Sequence, residues 1–512
     1  MSGFEGWRAV PSHVSYEPLT PTALLDRAAE VHAERLAVVD GDLRLTYREL
    51  HDRCLRQAGL LRGLGVEPGD RVAVLGANSP LLLESHFGVL YAGAVLVTLN
   101  IRLAAAELRH ILEHSGATVL LHDPEFAELA EEIGGGLRVV GPAEHERLRA
   151  EAEPHRVEAD ERGLMALNYT SGTTGHPKGV MYHHRGAYLQ SLAMVAHFRL
   201  TPETVYLWTL PMFHCNGWAF PWAVTAAGGV HVCLRRVDPA QVWRLIDAEG
   251  VTMFCGAPTV LISLLEVAPP ARGRRVAVAV GGAPPSPSLL AGCERAGLDI
   301  THLYGLTETF GPAAICDWRP EWNTLPVAEQ AVLRARQGVS NLVSCTIRVL
   351  KDGTDVPRDG ATLGEVALRG NTVMLGYYRD DEATRLAVPD GWFRTGDLGV
   401  LHPDGYLELR DRAKDVIVSG GENISSIEVE SALAAHPAVL EAAVVAMPDE
   451  HWGERPIAYV TLREGHTVSP EELRAHVRAR LAAFKAPDRY EFGPLPKTSS
   501  GKIRKNELRA RR

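Results

Sequence analysis

The chain has 512 residues, 46% of them hydrophobic and 23% charged, with 53 basic against 63 acidic side chains and a formal net charge of −10. That composition is globular and excludes disorder, collagen and coiled coil, and the length calls for roughly two to four domains, or one large domain with an appendage. The acidic balance argues against nucleic acid as the main partner.

Short β-branched runs alternate with helical patterns from the N-terminal region to about Arg410. Thr46-Tyr47-Arg48-Glu49 is a capping box that opens a helix running toward Gly63, and residues 71–75 follow as a buried strand. Residues 94–99 and 117–121 read the same way. Asp238-Pro239 supplies an N-cap and an N1 proline, Gly250 a stop, and residues 251–255 the next strand, with 276–280 as another. The alternation predicts an α/β fold: β-α-β units in mainly parallel sheets covered by helices, with ligands at the C-terminal ends of strands. Beyond Arg410 the pattern changes to a helix over about 426–435, strands around 442–445 and 457–461, and a helix opened by Ser469-Pro470-Glu471-Glu472. The expected division is a large N-terminal domain over 1–410 and a small α+β C-terminal domain over 411–512. Residues 269–275 and 318–337 read as surface loop or short helix without catalytic chemistry.

Seven cysteines (Cys54, Cys215, Cys233, Cys255, Cys293, Cys316 and Cys345) are scattered singly, with no CxxC pair, which suggests reduced cytosolic thiols. Met1 to Glu5 carries neither a basic n-region nor an apolar h-region, and the most apolar stretch, 87–99, is too short to span a bilayer. A cytoplasmic protein is expected. Only seven of the basic residues are lysines (Lys178, Lys351, Lys414, Lys485, Lys497, Lys502 and Lys505). In a chain so biased to arginine, a retained lysine either marks a need for a compact ammonium or reflects chance.

Thr170-Ser171-Gly172-Thr173-Thr174-Gly175-His176-Pro177-Lys178-Gly179 follows an apolar strand. Its bare backbone N–H groups and hydroxyls can wrap phosphate oxygens, with Lys178 as counter-charge. The spacing is not that of a Walker A loop, and by composition alone an ordinary Gly/Ser/Thr turn fits as well. Gly281-Gly282-Ala283-Pro284 and Tyr304-Gly305-Leu306-Thr307-Glu308-Thr309 follow, then Trp392-Phe393-Arg394-Thr395-Gly396-Asp397, Arg410-Asp411-Arg412-Ala413-Lys414-Asp415, Ser419-Gly420-Gly421-Glu422-Asn423 and Pro496-Lys497-Thr498-Ser499-Ser500-Gly501-Lys502. Each alone reads as a turn, a solvated charge run or a basic tail.

Together and in this order, the motifs resemble those of the superfamily of adenylate-forming enzymes that includes acyl-CoA synthetases, peptide-synthetase adenylation domains and firefly luciferase, over about 24–504. The resemblance implies a large domain of mixed, mainly parallel sheets with a small mobile C-terminal domain. It also implies ATP, Mg²⁺ and coenzyme A. In that reading Thr170, Ser171, Gly172, Thr173, Thr174, Gly175 and Lys178 hold phosphates, and Gly281, Gly282 and Ala283 let adenine approach the backbone. Tyr304 stacks on adenine, Thr307 donates to the α-phosphate, Glu308 holds the metal, Asp397 accepts from the ribose hydroxyls and Arg412 contacts ribose or phosphate. Lys414 is the pivot, Gly420, Gly421 and Glu422 line the thiol tunnel, and Lys502 bridges substrate carboxylate and α-phosphate.

The implied reaction begins with in-line attack of a carboxylate on the α-phosphorus of ATP, releasing pyrophosphate. A thiol then attacks the acyl-adenylate and AMP departs. No cysteine nucleophile is needed, and none of the seven is expected in the motifs. Pro211-Met212-Phe213-His214-Cys215-Asn216-Gly217-Trp218 is expected on the acyl and thiol side, with His214 as an aromatic gate or, more blandly, a packed core residue. It lacks the Asp with which amino-acid-activating relatives pair an ammonium, which points to a neutral or apolar acid. Gly305 stands where relatives strict for acetate carry a pocket-closing Trp, and its bareness suggests room for a longer chain or a ring. Residues 318–338 are similar to the branch of short- and medium-chain acyl-CoA or aryl-CoA ligases. The expected partners are a small carboxylic acid, ATP and CoA. The alternatives are the phosphopantetheine of an acyl carrier protein as acceptor, a luciferase-like oxygenase, or a catalytically silent nucleotide-binding protein.

Overall fold

A computed structural model describes residues 17–170, 177–267, 274–343, 346–412, 414–419, 422–449, 451–498 and 501–511. The predicted capping box at Thr46 is present: the Glu49 N–H donates to Thr46 Oγ1 at 3.3 Å, the Thr46 N–H donates to Glu49 Oε2 at 2.7 Å, and the helix Tyr47–Gly63 follows. Asp238 likewise accepts from the Gln241 N–H at 2.8 Å at the start of Pro239–Ala248. Val72, Ala73, Val74 and Leu75 are wholly buried, as a strand covered by helices on both faces requires.

Among the described residues, two large sheets carry the N-terminal part. In the nine-stranded sheet, Leu298–Leu306, Val276–Val280, Met253–Gly256, Val205–Leu207, Val230–Val232 and Leu36–Asp40 run parallel, flanked by antiparallel strands. In the seven-stranded sheet, Leu164–Thr170, Val95–Thr98, Arg71–Leu75, Ala117–His122 and Arg138–Val140 are parallel. Lys178–His183 and Gly376–Tyr377 add antiparallel at one edge of that sheet. One core cluster, including Phe87, Trp208, Phe220, Trp222 and Phe310, fills the space between these layers.

A five-stranded antiparallel sheet brings Phe393–Leu401 against Leu407–Arg412 with Asp397 directly opposite Arg412. The turn of this hairpin is held by the 318–337 segment, which folds as the short 3₁₀ turn Pro320–Thr324 and the helix Val327–Ala335. Arg319 lies between the rings of Trp322 and Tyr406, 5.5 and 5.0 Å from their centroids, and Arg336 pairs with Asp404 at 3.0 Å. A stretch to which the sequence assigned no chemistry therefore braces the strand pair that carries two candidate ligands.

The C-terminal part pairs Val439–Asp449 with Gly453–Leu462, extended by Ile417–Ser419, Glu422–Ile424 and Arg489–Phe492. Helices Ser426–Ala434 and Pro470–Arg478 bury Val429, Leu433, Leu473 and Val477 over it, and Leu508 of Lys505–Ala510 packs with Val445 and Tyr459. No described helix is long and apolar enough to cross a membrane.

Candidate active site

The site is built where Leu298–Leu306 ends. The chain turns through Thr307–Thr309, passes Phe310 in the left-handed region (φ 56°) and returns antiparallel as Gly311–Ile315. Thr309 Oγ1 accepts from the Leu306 N–H at 2.9 Å, and the Tyr182 hydroxyl donates to the Thr307 carbonyl at 2.6 Å, so the turn is fixed from both sides. The Glu308 carboxylate accepts from the Tyr377 hydroxyl at 2.9 Å.

One cavity is lined by His214, Cys215, Trp218, Gly281, Gly282, Tyr304, Thr307 and Lys502, among others. Lys502 reaches it from the C-terminal part on a tight loop, where Gly501, at φ 83°, lies so near the large domain that a Cβ would stand 2.4 Å from Thr259 Oγ1. Burial, then the charge of Arg412, pushes the Lys502 pKa down. Burial, with Lys502 adding to it, takes His214 down to about 4, which keeps the imidazole neutral near pH 7.

Beside the cavity, the Tyr304 hydroxyl donates to Asp397 Oδ2 at 2.7 Å, while Arg412 Nε lies 3.2 Å from Asp397 Oδ1. Asp397 is buried, so these two partners offset its desolvation. On the other side, Lys178 Nζ lies 3.6 Å from Asp380 and 4.9 Å from the centre of the Tyr377 ring. Thr170 is directly opposite Lys178 across the strand pair.

Some expected residues fall elsewhere. Ala283 is exposed and does not line the cavity. Glu422 is exposed on its short strand, and Lys414 is exposed next to Asp415, which pairs with Arg509. Ser171, Gly172, Thr173, Thr174, Gly175, Gly420 and Gly421 lie outside the described residues.

Cys215, within the 211–218 segment, lines the cavity with Sγ 3.7 Å from Thr307 Oγ1, and burial raises its pKa to about 11 and leaves it a thiol. One expectation is corrected: Gly305 does not leave an open space, because a Cβ there would lie 1.9 Å from the Gly311 carbonyl oxygen. The strand packing requires glycine at this position, and the Trp218 indole lies against Gly281 and the facing Gly311. The sequence placed the 211–218 string on the acyl and thiol side but gave Cys215 and Trp218 no individual role. Tyr182 and Tyr377 went unnoticed because a tyrosine in a strand is ordinary.

Among the described residues no group of three or more His, Cys, Asp or Glu could hold a metal by itself. Mg²⁺ accompanying a nucleotide is held through one or two carboxylates together with phosphate oxygens and water, so a single oriented Glu308 fits that requirement.

Comparison with known proteins identifies the family. The peroxisomal acetate/butyrate–CoA ligase AAE7 of Arabidopsis thaliana is 43% identical, the match covering 97% of this chain and 95% of that one. The 4-hydroxybutyrate–CoA ligase 2 of Metallosphaera sedula is 42% identical over 98% and 95%. Among solved structures, the o-succinylbenzoate CoA synthetase of Bacillus subtilis with its acyl-adenylate intermediate superposes with a TM-score of 0.85 at 30% identity, covering 98% of this chain and 99% of that one. ATP-bound MatB from Rhodopseudomonas palustris gives 0.86 at 28% identity over 96% and 98%. Residues 25–378 match the AMP-binding enzyme family and 428–502 its C-terminal domain, so the chain belongs to the AMP-binding enzyme family and is an AMP-forming acid–thiol ligase.

Proposed function

We propose that the chain couples a short-chain carboxylic acid to coenzyme A in two steps at one cavity. A carboxylate oxygen attacks the α-phosphorus of ATP and pyrophosphate leaves. The CoA thiolate then attacks the acyl carbon and AMP leaves. The observation that carries the reading is the cavity that gathers Lys502 of the small domain with His214, Thr307, Tyr304, Gly281 and Gly282 of the large one. A half-buried ammonium that shares the cavity with a threonine hydroxyl suits a step in which negative charge gathers on phosphate and carboxylate together. Magnesium bound at Glu308 would supply further neutralisation of phosphate charge. Asp397 and Tyr304 would hold ribose and adenine, with Arg412 at ribose or phosphate, and Thr170 to Gly175 and Lys178 would hold the outgoing phosphates. Relatives named as CoA ligases support CoA as acceptor over a carrier protein.

The roles of Lys414 as pivot and of Gly420, Gly421 and Glu422 at the thiol passage are part of this reading, as is the division of the chain after Arg410. Its support is chemical: Lys502 serves the first step and the Gly420 loop the second, yet both belong to the small domain, so one body must turn between them. We place the enzyme in the cytoplasm on its singly scattered cysteines, six of which are buried free thiols among the described residues. Fractionation of source cells would decide this, since relatives such as AAE7 carry a peroxisomal name.

The deciding measurement is acid-dependent exchange of pyrophosphate into ATP. Lys502→Ala is expected to lower it by at least about a hundredfold, as loss of a principal charge-stabilising group does. Exchange unaffected by that change would overturn the assignment. Thioester formation with free CoA over acetate to dodecanoate and benzoate then identifies the acid.

A further inference from the structure

Tyr377 belongs to none of the motifs read from the sequence, yet it touches two of them. It lies on the two-residue strand Gly376–Tyr377, paired antiparallel with Lys178–His183 so that Tyr377 is opposite Val180. Its hydroxyl donates to Glu308 Oε1 at 2.9 Å, and the Lys178 ammonium lies 4.9 Å from the centre of its ring. Main-chain bonds pin the segment to both neighbours. The Met374 N–H donates to the Glu308 carbonyl at 2.8 Å, the Tyr378 N–H to the Gly179 carbonyl at 2.7 Å, and the Tyr377 N–H to Thr384 Oγ1 at 2.8 Å.

We propose that Tyr377 is a positioning residue for the adenylation step: its hydroxyl sets the Glu308 carboxylate and its ring seats the Lys178 ammonium, aligning the acidic and basic partners of the triphosphate as one unit. The geometry explains the need. A lone glutamate has free rotamers, and a metal ligand that must be found by rotation binds more weakly than one fixed by a hydrogen-bond donor behind it. Asp380, 3.6 Å from Lys178, pairs with that ammonium, while the face of the Tyr377 ring favours a cation over it.

This inference rests on the chain being an adenylate-forming ligase, and the test separates the two. Tyr377→Phe keeps the ring and strand while removing the hydroxyl. In the variant we expect a rise of roughly tenfold in the Mg²⁺ concentration that half-saturates pyrophosphate exchange, with a comparable fall in its rate. Thioester formation from supplied acyl-adenylate and CoA should stay within about twofold, because no triphosphate takes part. A second readout needs no turnover: Mn²⁺ bound in the presence of ATP, followed by electron paramagnetic resonance, should weaken by a similar factor. If the wild-type enzyme shows no acid-dependent exchange, the functional reading fails. If it does, and Tyr377→Phe keeps its Mg²⁺ dependence and Mn²⁺ affinity, the role of Tyr377 is overturned. An equal loss in both half-reactions would also overturn it, by pointing to general damage.

Discussion

Trp218 stands with its indole where neighbouring backbone has been stripped of side chains. A Cβ at Gly281 would lie 2.7 Å from the ring, and one at Gly311 would lie 3.2 Å from it. The two glycines make room for the tryptophan, and in the proposed reaction the tryptophan, as a wall of the cavity, would limit the room left for an acyl chain. Trp218→Leu is therefore expected to move preference toward longer or ring-bearing acids. Each methylene accommodated or excluded in an apolar pocket changes specificity by roughly 10- to 200-fold in kcat/KM. The measurement is kcat/KM for acetate, butyrate, hexanoate and benzoate. An unchanged ranking in a folded variant would remove Trp218 from specificity. Legibility at this scale was uneven for a physical reason. Lys502, Asp397 and Glu308 could be picked out because their chemistry is tied to short contiguous strings. Trp218 and Gly305 take their meaning from residues far away in the chain, and a bare glycine can signify open space or a strand pressed against it.

The element that carries Trp218 is itself unusual. Cys215, Asn216, Gly217, Trp218 and Ala219 are all left-handed, with φ of 48, 46, 57, 55 and 66°. Each non-glycine residue in that conformation costs roughly 1–2 kcal/mol, so something must hold the turn. Asn168, at the buried end of Leu164–Thr170, does so with both ends of its amide: Nδ2 donates to Asn216 Oδ1 at 2.5 Å and Oδ1 accepts from the Asn216 N–H at 3.2 Å. Asn168→Ala removes both bonds and leaves buried amide groups unpaired, a loss of about 1–3 kcal/mol. The expected kinetic result is a rise of roughly tenfold in KM for the acid with KM for ATP little changed. Equal changes in the two would show that the turn does not serve the acid side. At this scale the strand and helix alternation, the Thr46 and Asp238 caps and the Val276–Val280 strand all followed from periodicity and capping chemistry. A run of left-handed residues has no such local signature, because only Gly217 and, less strongly, Asn216 among its members accept that conformation readily.

At the scale of the whole molecule, burial does to histidine what it does to Lys502. His86, His145, His184, His214 and His302 are pushed down to about 4 and His231 to about 3, in each case chiefly by desolvation. Composition gives 21 histidines and no hint of which are enclosed, since enclosure comes from packing several elements over each ring. The existence of a C-terminal domain, by contrast, was legible in the sequence, because its strands and helices carry apolar faces that form clusters of their own. The buried rings have a consequence for stability. Unfolded histidines take up protons near pH 6.5, while these six in the folded protein remain neutral until far lower pH. The unfolded state therefore binds more protons between those limits, and stability rises with pH across the window. It is fully present above about pH 6.5 and falls on acidification by up to about 1.4 kcal/mol per pH unit for each histidine. Asp40, Glu84, Asp123, Asp411 and Glu430, whose pKa values burial raises, act in the opposite sense. Their protonation also dissolves ion pairs such as Arg53–Glu84 and Arg149–Glu84, at 2.5 and 3.0 Å, which limits what they return. The apparent Tm is expected to hold steady from about pH 8 to 6.5 and then to drop by several degrees per pH unit toward pH 5. Thermal melts over that range check it. A Tm flat from about pH 7 to 5 would mean that the loss from these rings is cancelled in the native state, by proton entry or by the opposing carboxylates, and would overturn the predicted net destabilisation.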